Sequence, residues 1–209
     1  MAHGVAESDQ EYLSQTTGPQ IGPFLYLGAK HMVTGYDHLL FLSGVIFFLY
    51  RLRQVAAYVT LFAIGHSTTL IGGILLGTNV SSRLVDAIIG LSVVYKALDN
   101  MRAWESWFGI KPEPRLAVLV FGFFHGFGLA TKLQEFGLKQ DGLVINLISF
   151  NIGVEIGQLL ALSAILIAMN YWRLTPSFDR FAFRGNAVLM SAGFLLAGYQ
   201  LAGYFVLEA

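Results

Sequence analysis

Five side chains able to bind a transition metal or hand on a proton fall near the middle of long apolar stretches: Asp37 and His38, His66, His125 and Glu155. Ionisable groups at membrane depth cost roughly 2.5–3.5 kcal/mol each on insertion scales, so each needs a partner or a task. Their common depth on four separate stretches is the informative part, because helices packed side by side bring equal-depth residues within reach of one another. Three imidazoles and two carboxylates match the donors that zinc, nickel, cobalt and iron prefer. The chain has no cysteine, which excludes thiolate sites, disulfides and thiol nucleophiles, so any metal is held by imidazole and carboxylate. The competing reading is a hydrogen-bonded network that only sets helix register. Asparagine, serine and threonine could build such a network, and the three histidines argue for metal or proton handling instead.

His31 lies seven residues before His38, within about 20° of the same helix face but roughly 10 Å away along the axis. A helix break at Gly35 would fold His31 inward as a further ligand. Without a break it is an outer ligand or an interfacial histidine. Asn151, Glu155 and Gln158 stand at i−4, i and i+3 and form one polar stripe on an apolar stretch, which predicts a side facing protein or water. Ser67, beside His66, and Ser92, Tyr95 and Asp99 are candidates for orienting the ligands. Lys96 and Asp99, three apart, are expected first of all to form a local ion pair. Two glycine pairs spaced by four, Gly122 with Gly126 and Gly153 with Gly157, permit close backbone approach and read as helix packing.

The elements that must position these groups follow from composition. Of 209 residues, 55% are hydrophobic and 12% charged, with a mean hydropathy of +0.61, a balance that points to lipid as the main solvent. The fold class is all-α, a polytopic integral membrane protein. Six stretches approach the roughly 20 apolar residues that a bilayer core asks of a helix: 24–50, 55–77, 81–101, 115–133, 143–170 and 185–207. The first and fifth are long enough to tilt or to break at Gly35 or Gly153, and a seventh, short element is expected near Pro23. Residues 1–20 read as an external N-terminal segment and 21–209 as one transmembrane helical domain.

Of the 13 basic residues, eight (Arg51, Arg53, Arg102, Lys111, Arg115, Arg173, Arg180 and Arg184) fall on one side of this arrangement. Cytoplasmic loops carry such an excess, so the chain is expected in the cell (inner) membrane as a multi-pass protein with both termini outside. The polar start Met1 to Thr17 lacks the pattern of a secretory signal, and one expectation is that Met1 stands where a signal has been removed. Thirteen acidic residues balance the basic ones, so nothing suggests nucleic acid. The partners expected are the lipid bilayer and a metal ion, with a second copy or a membrane complex compatible with the composition.

Five segments together resemble the HupE/UreJ family of small polytopic membrane proteins, and more closely its second, less characterised branch. They are His31 to Phe41, Gly65 to Leu70, Leu91 to Asn100, Phe124 to Ala130, and Phe150 to Gln158. The resemblance covers most of the chain. It implies uptake of nickel or cobalt through a histidine and carboxylate site between helices. This chain carries Met32, Leu129 and Lys132 where the nickel branch has proline, histidine and glutamate, while Asp37, His38, His66, His125 and Glu155 all remain.

The leading expectation is a permease for a divalent transition metal, with His38, His66 and His125 as ligands and Asp37 and Glu155 balancing charge or ligating. A second reading is an intramembrane metal-dependent hydrolase of a lipid or peptide, which needs three ligands and an open position for water. A third is an accessory subunit of a membrane complex. The same residues serve the first two, so catalytic residues, the metal and the mode of energy coupling are not separated by sequence.

Overall fold

In a bilayer core every backbone N–H and C=O must find its partner within the protein, which leaves the helix as the natural form for isolated apolar stretches. The computed structural model describes residues 17–49, 52–78, 80–135 and 141–207, and every regular element among them is helical. In chain order they are α1 (Ile21–Thr34), α2 (Tyr36–Ile46), α3 (Leu52–Leu76), α4 (Ser82–Asn100), α5 (Ala103–Phe108), α6 (Pro114–Glu135), α7 (Leu143–Arg173) and α8 (Ser177–Leu207).

Four helices, α3, α6, α7 and α8, are long and apolar enough to cross a membrane by themselves. The other two expected spans have a different character. The first is divided at Gly35 into α1 and α2, and the third is α4, whose 19 residues include Arg83, Asp86, Lys96 and Asp99. The break falls at Gly35 and not at Gly153, which lies inside an uninterrupted α7. Pro23 sits in the first turn of α1, the 14-residue helix that the break at Gly35 makes a separate element near that proline; a further short helix is α5. Most of the expected external segment, and Lys139, lie outside the described residues.

At Gly35 the backbone takes φ −72° and ψ 105°, leaving the helix for a single residue. The Gly35 N–H still donates to the His31 carbonyl at 2.9 Å, closing α1, and the Gly35 carbonyl accepts from Leu39 N–H at 3.0 Å, opening α2. A helix start leaves its first N–H groups without intrahelical partners. Asp37 stands in that first turn, where the local dipole favours a carboxylate.

The helices associate chiefly as three pairs, α1 with α7, α3 with α6 and α4 with α8. Small residues make each pair possible. A methyl group at Gly126 would overlap the His66 carbonyl of α3, and one at Gly153 would overlap the Leu25 carbonyl of α1. The glycine pairs therefore act as packing devices, and on α6 that device draws His125 alongside His66.

Hydrogen bonds fasten the α1–α7 and α4–α8 pairs near their ends and hold the end of α2 to both. Near the start of α7, Asn146 accepts from Gln20 N–H at 2.6 Å and donates to the Gly18 carbonyl at 3.0 Å. At the opposite end Arg173 donates to the Ile46 and Phe47 carbonyls, and Asn100 donates to the Gly44 carbonyl and the Asn186 side chain, each at 2.9 Å. Outward, α7 and α8 present Ile152, Leu159, Val188 and Leu195, a surface suited to acyl chains.

Candidate metal centre

Adjacent helical residues do not ordinarily face one another, yet Asp37 and His38 meet because they open α2 directly after the Gly35 break. Asp37 Oδ1 lies 3.1 Å from His38 Nδ1. With the carboxylate ionised and the imidazole neutral, Nδ1 would donate to Asp37 and the lone pair would be left on Nε2. A Cβ at Gly35 would come within 2.7 Å of His38 Nδ1 and 3.1 Å of Asp37 Oδ1. Glycine here both breaks the helix and makes room for the pair.

On α6, His125 Nδ1 donates to the Phe121 carbonyl one turn earlier at 2.8 Å, because a carbonyl oxygen is an acceptor only. That bond again leaves the Nε2 lone pair, on a buried atom with no hydrogen-bond partner among the described residues. Holding one imidazole nitrogen so that the other can coordinate is how proteins orient histidine ligands. Asp37, His38 and His125 each bring a ligand atom to within 4.8 Å of the others.

Two more histidines stand around this trio. The His31 ring is 5.0 Å from that of His38, brought inward by the Gly35 break, and the His66 ring is 6.2 Å from His38 on the α3 side. Both His66 ring nitrogens are buried without a hydrogen bond of good geometry among the described residues, although the Asn151 side chain lies beside them. Asn151 donates to the Leu147 carbonyl of its own helix at 3.0 Å, which leaves its buried Oδ1 on the side of His66. Phe62 and Phe41 pack on His125 at 5.0 and 5.3 Å between ring centres, walling the group with hydrocarbon. His38, His66 and His125 are completely buried. Buried imidazole nitrogens without hydrogen bonds are costly, and a borderline divalent cation is the partner that such a donor set fits.

The structure corrects one expected ligand. Glu155 is exposed on the outward face of α7, in the company of Ile152, Ile156 and Leu159, and does not join the histidines. Helical geometry gives the reason. At about 100° per residue Gln158 falls roughly 20° from Asn151 on the buried side, whereas Glu155 falls roughly 40° away on the other, exposed side. The polar stripe therefore divides, with Asn151 and Gln158 inside and Glu155 out.

Of the other supporting candidates, Ser92 and Asp99 have their polar groups engaged elsewhere. Ser92 donates to the Ile89 carbonyl at 2.6 Å, and Asp99 pairs with Lys96 at 2.6 Å, the ion pair expected from their spacing. Ser67 is half-buried. Tyr95 reaches the group at one remove, packing at 5.1 Å on the ring of Phe121, whose carbonyl holds His125.

A polar contact not anticipated from sequence joins α4, α6 and α8. Asp86 Oδ2 accepts from Lys132 Nζ at 2.6 Å and from Gln200 Nε2 at 3.0 Å. Charges of opposite sign near the same end of antiparallel spans, Asp86 early in α4 and Lys132 late in α6, were the available signal. The lysine that departs from the nickel-branch pattern is thus neutralised within the bundle.

A family model described as HupE / UreJ protein matches residues 7–208. No curated protein and no solved structure matches the chain.

Proposed function

The chain belongs to the HupE/UreJ family, and on that premise we propose that it is a membrane permease for a divalent transition-metal ion, nickel or cobalt first among candidates. The observation that carries this reading is the convergence of four imidazoles and one carboxylate from α1, α2, α3 and α6. Such an imidazole-rich set suits borderline ions more than magnesium or calcium. An ion arriving from outside would exchange water for these donors, with Asp37 offsetting part of its charge. In proteoliposomes the full chain is expected to carry nickel or cobalt across the bilayer at a saturable rate. His66→Ala should reduce that rate at least about tenfold, since a site short of one donor holds its ion less well. Flux indistinguishable between the two would remove the histidine group from the route; bound metal with no flux would favour the hydrolase reading.

The crossing that accompanies this reading has six passes, with α1 and α2 as one broken span and α4 as a polar one. Broken spans are tolerated where they are buried in protein around a site. Pairing of Asp86 with Lys132 and of Asp99 with Lys96 reduces the cost of burying α4. The basic asymmetry orients the start of α7 outward and the α7–α8 connection toward the cytoplasm. The natural chain has no cysteine, so Asp141→Cys is expected to react with an impermeant thiol reagent on spheroplasts and Thr175→Cys only after lysis. The reverse pattern would invert the orientation.

A further inference from the structure

We propose that the outward-facing groove between the early turns of α3 and α6 is a binding site for an anionic phospholipid, held by Arg53 and Arg115. The proposal needs only that the chain lies in a bilayer, so it stands apart from the permease reading. The groove has a volume of about 670 Å³, inside the range of about 300–1,000 Å³ usual for ligand clefts. One end of it carries Arg53 and Gln54 from α3 and Arg115 from α6, all exposed. Ala57, Leu61, Leu116 and Leu119 continue the wall, with Thr60, whose hydroxyl is turned back to the Ala56 carbonyl of its own helix at 3.0 Å.

The layout follows a lipid from head to tail. Arg53, Ala57 and Leu61 are spaced by four and share one face of α3, and Arg115 and Leu119 do the same on α6. Leu61 lies about 12 Å farther along its helix than Arg53, and Leu119 about 6 Å farther than Arg115. Cationic donors therefore stand at headgroup level, with hydrocarbon below them. Both helices run inward from this end, so the positive ends of two dipoles add to the arginine charge. The small Ala57 leaves the space that a glycerol backbone or acyl chain needs.

Charge decides the kind of lipid. Neither guanidinium has a hydrogen bond or ion pair among the described residues, and the carboxylate of neighbouring Glu113 accepts from the Arg115 backbone N–H at 3.3 Å. Two guanidinium groups on one groove repel each other. A phosphodiester between them relieves that repulsion and accepts from both, since the guanidinium fork matches phosphate geometry. Basic pockets between spans at a membrane face bind anionic headgroups in this way. A phosphatidylcholine headgroup would instead bring its own cation to the same place. Membrane sidedness accounts for arginines at this end of the bundle, but not for two of them at the head of one apolar groove. Because α3 and α6 carry His66 and His125, a lipid seated here clamps the helix pair that aligns those rings.

The test titrates phosphatidylglycerol and phosphatidylcholine of equal chain length onto the delipidated full-length protein in micelles, with bound lipid counted by native mass spectrometry. Wild type should hold one phosphatidylglycerol at least about tenfold more tightly than phosphatidylcholine, and Arg53→Gln combined with Arg115→Gln should abolish the preference. Arg180→Gln combined with Arg184→Gln removes the same charge from α8 at the same end and should retain it. Ala57→Leu keeps both arginines and narrows the groove, so it should weaken the lipid at least several-fold; it also serves if the double variant does not fold. Equal affinity of wild type for the two lipids overturns the proposal. Equal loss in the two double variants overturns it as well, by reducing the effect to general surface charge, and so does undiminished binding by folded Ala57→Leu. Displacement of the lipid by millimolar inorganic phosphate would make the groove a site for a free anion instead. None of these outcomes touches metal binding or flux, which are measured separately.

Discussion

Purified wild type should bind about one divalent transition ion, and His38→Ala should weaken that binding at least about 100-fold, because the loss of a ligand exceeds the 10–100-fold usual for a supporting partner. His38 has the largest expected effect because it is central. Its ring lies 5.0 Å from both His31 and His125 and 6.2 Å from His66, and Asp37 is bonded to it. Isothermal titration with nickel, cobalt and zinc measures the change, and circular dichroism of the same samples checks that the helices persist. Glu155→Gln is the matched control. It removes a carboxylate at similar depth, but from the outward face of α7, so stoichiometry and affinity should be unchanged. If the glutamine variant lost metal and His38→Ala kept it, the centre described here would be the wrong one.

Gly35→Ala is expected to weaken metal binding by about 10–100-fold while leaving most of the helical content intact, the range found when a ligand is merely misoriented. The backbone at Gly35 has φ −72°, which alanine adopts without strain. The effect is therefore one of contact. The new methyl would stand 2.7 Å from His38 Nδ1 and 3.1 Å from Asp37 Oδ1, so the pair must part or the ring must rotate away from His125. A distorted centre should also change the ligand-field bands of bound cobalt, which a simple loss of stability would not do. Wild-type affinity together with wild-type cobalt spectra would show that Gly35 serves the helix break alone.

Much of this protein is legible in its sequence because the bilayer simplifies the problem. Apolar length reports helices directly, and a charged or imidazole side chain within such a length must face inward or be paired. Those two constraints, without any knowledge of packing, point to an all-helical membrane protein and to a mid-depth group of Asp37, His38, His66, His125 and Glu155, of which the fold brings the first four together and turns Glu155 outward. The conditional reading of His31 was likewise available, since a break at Gly35 was one of few ways to relieve so long a stretch. What sequence could not decide is rotation about each helix axis and the pairing of one helix with another. Glu155 and Gln158 are three residues apart, and both are polar. Only the seating of α7 against α1, through Gly153 and Gly157, turns one outward to the apolar face and the other inward to a small cavity that Phe62 also lines. The same holds for Asp86 and Lys132, 46 positions apart, whose meeting depends on α4 and α6 lying side by side. Depth along a helix follows from counting residues at about 1.5 Å each, whereas azimuth drifts by about 100° per residue and is set by whichever neighbour the small residues admit.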